Sequence, residues 1–302
     1  MLEPVSIDKK LVEVLELIET QPLSPNFAML SYDSLYPTRN IGFNCIWYIV
    51  FPAGFILIWL LRKVLSKFKF ECEENSLRLF FDKFLTNGLI QFFNSTYLIT
   101  CMSFFISISY TKFDTTGNVV NALFSIVLAF VIISFPIFVG VFYTKNFKKI
   151  IREDPNFKSR WGSLIEPLNF KRGGKRVILY PVLSLVRKLI LAATLVFAQD
   201  ATIFLTILSC VSQVIIIVIL IGGIVPMKRK GDQRMLLLNE TFVMLTIYCN
   251  ICYTDFNPDY DAVITMGNVQ VCITVINIAI NIFRMLYLSG ITLSRKGKLS
   301  CL

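Results

Sequence analysis

The chain contains no histidine in its 302 residues, and this absence excludes several kinds of site. Haem held by histidine, zinc sites that use imidazole, and Ser-His-Asp or Cys-His catalysis all need that side chain. Cys249 and Cys252 form a CxxC pair, but no second pair completes a zinc site around them. A glycine-rich phosphate loop and a TVGYG-like channel filter are also missing. We therefore expect no catalytic, cofactor-binding or metal-binding residues, and we predict that the protein is not an enzyme.

Long apolar runs are what the sequence has in abundance. Hydrophobic residues make up 55% of the chain, and several runs without charge reach the ~20 residues that a membrane-spanning helix needs. The clearest case is the apolar pair Val177–Ala198 and Thr202–Val225, which has a basic cluster at each outer end. We predict an all-α, polytopic membrane protein with about seven transmembrane helices. These are about Ile41–Leu61, Leu89–Tyr110, Ala122–Tyr143, Val177–Ala198, Thr202–Val225, Met235–Tyr253 and Asn268–Ser289.

The charged residues divide the chain into three parts. Residues 1–40 are a polar segment that opens with an amphipathic helix after Ser6, which either packs on the bundle or docks a partner. Residues 41–290 form the bundle, with an inner basic loop at 145–176, and 291–302 are a basic tail. Most of the 30 Lys and Arg residues flank the apolar runs on one side. We therefore predict that residues 1–40 and 145–176 lie on opposite sides of the membrane.

The net charge of +10 follows from this topology, so we expect no nucleic-acid partner. Two basic clusters would lie on the same membrane face, where they can contact anionic lipid head groups. The alternative is that they serve topology alone, and the two interpretations are compatible. The residues in question are Lys171, Arg172, Lys175, Arg176, Lys228, Arg229 and Lys230.

Four charged residues fall inside predicted membrane helices: Arg187, Lys188, Glu240 and Arg284. Such charges are costly in a bilayer and are usually paired or directed into the bundle. We predict an intramembrane polar network in which Glu240 faces the bundle interior and bonds Arg187 or Arg284. The alternative is that each cation extends separately to the inner head groups.

The second half of the chain carries a recognisable set of motifs. Glu166-Pro167-Leu168-Asn169-Phe170 precedes a helix with Tyr180-Pro181, and Asp232-Gln233-Arg234 and Tyr253-Thr254-Asp255-Phe256 follow. This pattern resembles the membrane module at the C-terminal end of large ciliate surface proteins, which is distantly similar to TRP-like, polycystin-like membrane domains. The resemblance implies a multi-pass architecture and favours a channel or transporter.

Three functions stay open from the sequence. The first is a non-catalytic structural or accessory subunit of a larger membrane assembly, with other membrane subunits and membrane lipids as partners. The second is a TRP-like channel or transporter, and the third is a lipid-handling membrane enzyme. The mitochondrial inner membrane and a cell or ciliary membrane both fit the predicted topology.

Overall fold

The computed structural model describes residues 21–42, 44–67, 87–109, 113, 116–166, 168–198, 201–222, 224, 226–252 and 260–299. Helices account for most of these residues, so the predicted all-α class is confirmed. The helices are α1 Pro25–Met29, α2 Pro37–Ile41, α3 Asn44–Lys67, α4 Asn87–Ile108, α5 Thr116–Ile151, α6 Pro155–Ile165, α7 Phe170–Gly173, α8 Leu179–Phe197, α9 Thr202–Ile221, α10 Lys230–Ile251 and α11 Tyr260–Leu299. A 3₁₀ turn, Gly174–Ile178, leads into α8.

Five of these helical stretches are long and apolar enough to cross a membrane. They are Asn87–Ile108, Gly117–Ile151, Phe170–Phe197, Thr202–Ile221 and Asp261–Gly290. Helices α3 and α10 stand at the other two predicted positions, so the count of seven spans stays a prediction. The amphipathic helix predicted after Ser6 lies outside the described residues. So do residues 71–84, whose charges and helically spaced Leu77, Phe80, Phe81 and Phe84 predict a stretch along the membrane interface.

The chain folds as two compact units. The first consists of Met1–Gln199 and Ile224–Lys228, and the second of Asp200–Gly223 and Arg229–Leu302. The core of the first unit is formed by α4, α5 and α8, with Cys101, Ile106, Leu128 and Ala192 fully buried. In the second unit, α10 packs against both α9 and α11.

Hydrogen bonds tie the non-membrane segments of the first unit to opposite ends of α5. Near its start, Asn118 Oδ1 accepts a hydrogen bond from Tyr36 Oη at 2.6 Å, and Thr38 contacts Asn121 at 2.8 Å. Towards its other end, Tyr143 Oη donates to the carbonyl of Leu164, in α6, at 2.8 Å. Asn118 and Tyr143 are roughly 40 Å apart along the helix at 1.5 Å per residue. The predicted opposite sides for residues 1–40 and 145–176 stay a prediction.

Helix α5 is longer than the predicted span Ala122–Tyr143. It runs from Thr116 to Ile151, and the last two turns carry Lys148 and Lys149. Hydropathy marks where the bilayer ends, whereas a helix continues for as long as its backbone bonds and side chains allow. Much of the stretch predicted as an inner loop is therefore helical, as the end of α5, α6, α7 and the 3₁₀ turn.

A proline inside α5 creates a specific requirement for a hydrogen-bond donor. Pro136 has no N–H, so the carbonyl of Ile132 loses its normal partner in the helix. Tyr97 of α4 supplies the donor, because its hydroxyl bonds that carbonyl at 2.9 Å. Tyr97 and Ile132 are both buried, and water cannot replace the bond in an apolar core. One tyrosine hydroxyl thus joins α4 to the interrupted part of α5.

We expect Tyr97→Phe to lower the free energy of unfolding by about 1 to 3 kcal/mol, because it leaves the buried Ile132 carbonyl without a donor. Pro136→Ala restores a backbone N–H that can bond the Ile132 carbonyl. In that background, Tyr97→Phe should therefore lower the free energy of unfolding much less. Thermal unfolding in detergent of the four members of this double-mutant cycle measures the difference. Tyr287→Phe is the control, since Tyr287 is 69% exposed. An equal loss in both backgrounds would contradict the proposed role.

The sidedness of the first unit can be measured by labelling single cysteines in a background without the native ones. Met29 is 84% exposed and Lys158 is exposed on α6. We expect Met29→Cys and Lys158→Cys to react with a membrane-impermeant maleimide from opposite sides of sealed vesicles. Labelling of both from the same side would overturn the topology.

Candidate functional site

The second unit contains a line of uncharged amides and one carboxylate between α9, α10 and α11. Gln213 of α9 is fully buried, and its Nε2 donates to Glu240 Oε2 at 2.8 Å and to the Glu240 carbonyl at 2.7 Å. Glu240 itself is 7% exposed. The sequence predicted that this carboxylate faces the bundle interior and bonds an arginine; in the structure it is buried against α9, and Gln213 is a partner that the prediction did not include.

Asparagine and glutamine pairs extend this line along the contact between α10 and α11. Asn239 and Asn281 donate to each other's Oδ1 atoms at 3.3 and 3.0 Å. Asn281 also bonds Asn277 on its own helix at 2.9 Å, and Gln270 bonds Asn250 at 3.1 Å. We call these residues the polar seam. Its members are Gln213, Asn239, Glu240, Asn250, Gln270, Asn277 and Asn281.

Arg284 lies at the inner end of the polar seam and has a different carboxylate from the one proposed. Its guanidinium forms an ion pair with Asp232, in the first turn of α10, and donates to the carbonyl of Gly231 at 2.6 Å. Asp232 precedes Glu240 by about 12 Å of helix. The long arginine side chain therefore reaches the first turn of α10, where Asp232 lies. The alternative partner, Arg187, belongs to the first unit, so a bond between Arg187 and Glu240 stays a prediction.

Lys188 and Arg187 both lie in α8 and are half-buried. Lys188 Nζ is 3.4 Å from the backbone carbonyl of Asn94 in α4. Backbone carbonyls are common partners of cations within membranes, because each has a second lone pair. Lys188 therefore belongs to the first unit, apart from the polar seam of the second.

The predicted lipid contacts of the first unit gather at one end of its bundle. An antiparallel bridge between Leu168 and Met227 and a bond of 2.6 Å from Asn169 N to the Pro226 carbonyl bring Lys228 close to Lys171. Arg172, Lys175 and Arg176 follow in α7 and the 3₁₀ turn. Arg229 and Lys230 come next in the chain, but they belong to the second unit.

A small cavity of about 250 Å³ opens among these lysines. Its floor consists of the buried side chains Ile150, Ile165, Leu168 and Phe170. Its rim carries Lys149, Lys158, Lys171 and Lys228 together with Glu153 and Asp154. We call it the basic cup. A hydrogen bond and the charge of Lys171, 3.1 Å away, lower the pKa of Glu153. This pair therefore stabilises the fold above the ordinary pKa of glutamate, and the contribution is lost as the pH falls through the lowered value.

A second and larger cavity lies along the membrane face of the first unit. It has a volume of about 910 Å³ and separates one face of α5 from α8. We call it the apolar groove. It is lined by Pro136, Ile137, Gly140, Val141, Thr144, Lys175, Arg176, Ile178, Leu179, Val182, Val186 and Ile224. Lys175 and Arg176 are the two cations in this lining.

Most members of the polar seam are uncharged amides, so the prediction from charged residues within membrane helices did not include them. Gln270, Asn277, Asn281 and Arg284 repeat at intervals of seven, four and three residues, which places them on one face of a helix. That spacing would have identified the seam. The described residues also contain no group of three Cys, Asp or Glu side chains arranged to hold a metal ion.

Searches against protein-family models, curated proteins and solved structures find no match to this chain. The resemblance to the ciliate membrane module and to TRP-like domains therefore stays a prediction.

The bond between Gln213 and Glu240 can be tested by Gln213→Leu. We expect this change to lower stability in detergent by about 1 to 2 kcal/mol, because Glu240 loses a donor in a buried site. Gln91→Leu is the matched control, since Gln91 is exposed on α4. Equal melting temperatures for the two variants would mean that the bond contributes nothing.

Proposed function

We propose that this membrane-embedded protein is a non-catalytic accessory subunit of a larger membrane assembly. The observation that carries this proposal is α11. It contains an apolar stretch long enough to span the bilayer, yet none of the residues in its most apolar window is buried. Its principal helix neighbour among the described residues is α10. Much of a transmembrane helix is thus left for lipid or for another protein to cover.

The exposed face of α11 is not uniformly apolar. Thr274 is exposed on it, and a shallow groove of about 470 Å³ runs past Gly267 and Thr274. Small and weakly polar residues are enriched where membrane helices pack against each other, because they permit close approach and interhelical hydrogen bonds. A helix of a neighbouring subunit fits such a face better than lipid tails do.

The distribution of polar groups favours assembly over catalysis. In the polar seam, the amides of Asn239, Asn281, Gln270 and Asn250 bond each other across the helix contact. Groups paired in this way hold helices together and leave few donors or acceptors for a substrate. The absence of histidine removes the most common general base.

The proposal predicts a stable complex that depends on the exposed face of α11. The full chain, tagged and isolated in mild detergent from its own membranes, should carry other membrane subunits in fixed ratio, as measured by mass spectrometry. Thr274→Trp should reduce their recovery at least about tenfold by blocking close helix approach. Val211→Trp, at a position 50% exposed on α9, should leave recovery unchanged.

A chain that purifies alone, or one whose partners are retained equally by both tryptophan variants, would overturn the proposal. The membrane from which the complex is recovered would also decide between the mitochondrial inner membrane and a cell or ciliary membrane.

A TRP-like channel or transporter is the second candidate, and the polar seam favours it. Polar and ionisable side chains within membrane helices often mark a route for ions. If the seam forms such a route, Asn281→Leu should abolish ion flux in liposomes that contain the purified protein. Asn268→Leu changes an exposed asparagine on the same helix and should leave flux intact. Absence of flux with the unaltered chain would exclude this candidate.

A further inference from the structure

The apolar groove of the first unit is built along two parallel rows of small and aliphatic residues. Ile137, Gly140 and Thr144 line it on α5, and Leu179, Val182 and Val186 line it on α8. Ile137 to Thr144 and Leu179 to Val186 are each seven residue steps, so the groove follows the helices for about 10 Å at 1.5 Å per residue. Its length therefore lies along the membrane normal, the direction in which lipid chains run.

Gly140 forms the narrowest part of this groove. A Cβ atom at this position would lie 3.6 Å from Val182 Cγ2, which is ordinary van der Waals contact. A larger side chain on either residue would occupy the space between the helices. The Thr144 hydroxyl already donates to carbonyls of its own helix at 2.9 and 3.0 Å, so this wall offers no strong polar site. The body of the groove suits a hydrocarbon chain.

One end of the groove is strongly cationic. Lys175 and Arg176 follow each other in the 3₁₀ turn that precedes α8, and both are exposed. Lys175 Nζ lies 5.9 Å from the centre of the Phe147 ring, and no carboxylate lines the groove. The two charges thus lie at the membrane boundary at one end of the apolar groove, where they can bind a phosphate group.

The basic cup differs in this respect. Lys171 is paired with Glu153, and Asp154 is a second acid on the cup rim. Charge complementarity therefore favours an anionic head group at Lys175 and Arg176 over one at Lys171.

We propose that the apolar groove is a binding site for one anionic phospholipid of the surrounding bilayer. The phosphate binds Lys175 and Arg176, and one acyl chain packs on Gly140 between Ile137 and Val182. This site goes beyond a general attraction of basic residues to the membrane surface, because it has a defined head-group position and a defined chain position. It does not depend on whether the protein is an accessory subunit or a channel.

The test measures lipid binding to the purified full chain by native mass spectrometry, with phosphatidylglycerol and phosphatidylcholine as probes. We expect phosphatidylglycerol to occupy one site at least about tenfold more tightly than phosphatidylcholine. The double variant Lys175→Gln with Arg176→Gln should weaken phosphatidylglycerol binding by about tenfold or more. The matched double variant Lys148→Gln with Arg152→Gln removes the same net charge from two exposed positions near the end of α5 and should change phosphatidylglycerol binding less than about twofold.

Val182→Phe tests the position of the acyl chain and should weaken the binding of both lipids. The variants of Lys175 and Arg176 should weaken only the binding of phosphatidylglycerol. Should Val182→Phe fail to fold, Gly140→Ala provides a milder narrowing of the same place. Equal losses in the two double variants would overturn the proposal in favour of unspecific surface attraction. Equal affinities for phosphatidylglycerol and phosphatidylcholine would also overturn it. So would lipid binding that neither Val182→Phe nor Gly140→Ala weakens. Competition by glycerol phosphate alone would indicate a site for a soluble phosphate compound instead.

Discussion

The first unit depends on the rule that a backbone polar group inside a membrane must find its partner within the protein. Pro136 leaves the Ile132 carbonyl of α5 without its backbone donor, and the Tyr97 hydroxyl bonds that carbonyl instead. The proline also lines the apolar groove. Tyr143 likewise bonds a backbone carbonyl, that of Leu164, whereas Tyr36 bonds the side chain of Asn118 near the other end of α5.

The second unit satisfies polar groups in a different way. Its amides bond in pairs between helices, whereas the pairs of the first unit mostly use hydroxyl groups, as between Ser107 and Ser125. Pairs of uncharged amides are compatible with a membrane interior because neither partner carries a net charge. Glu240 is the exception, and it is placed where the buried amide of Gln213 can donate to it. Both units therefore pair buried polar groups with partners inside the protein.

The architecture was largely predictable from the sequence, and the site only in part. The sequence predicted seven helices from apolar runs bounded by lysine and arginine, and the structure has a helix at each of these positions. Such runs are reliable signals because their transfer into lipid dominates their energetics. Helix ends were less accurate: α5 passes Tyr143 and ends at Ile151, since charged residues prolong a helix without entering the bilayer. Arg284 was expected near Glu240 and instead pairs with Asp232. A long flexible side chain selects its partner in three dimensions, and helical spacing alone could not decide between two acids on the same helix.

The bridge between Leu168 and Met227 bears on how the protein is made. The chain leaves the first unit after Gln199, forms α9, and returns with Ile224–Lys228 before it leaves again. The backbone N–H of Asn169 receives its acceptor, Pro226, only when that return has been translated. Because Ile224–Lys228 follow α9 in the chain, the first unit can form these last contacts only after α9 has been synthesised. The order of synthesis thus makes completion of one unit depend on a helix of the other.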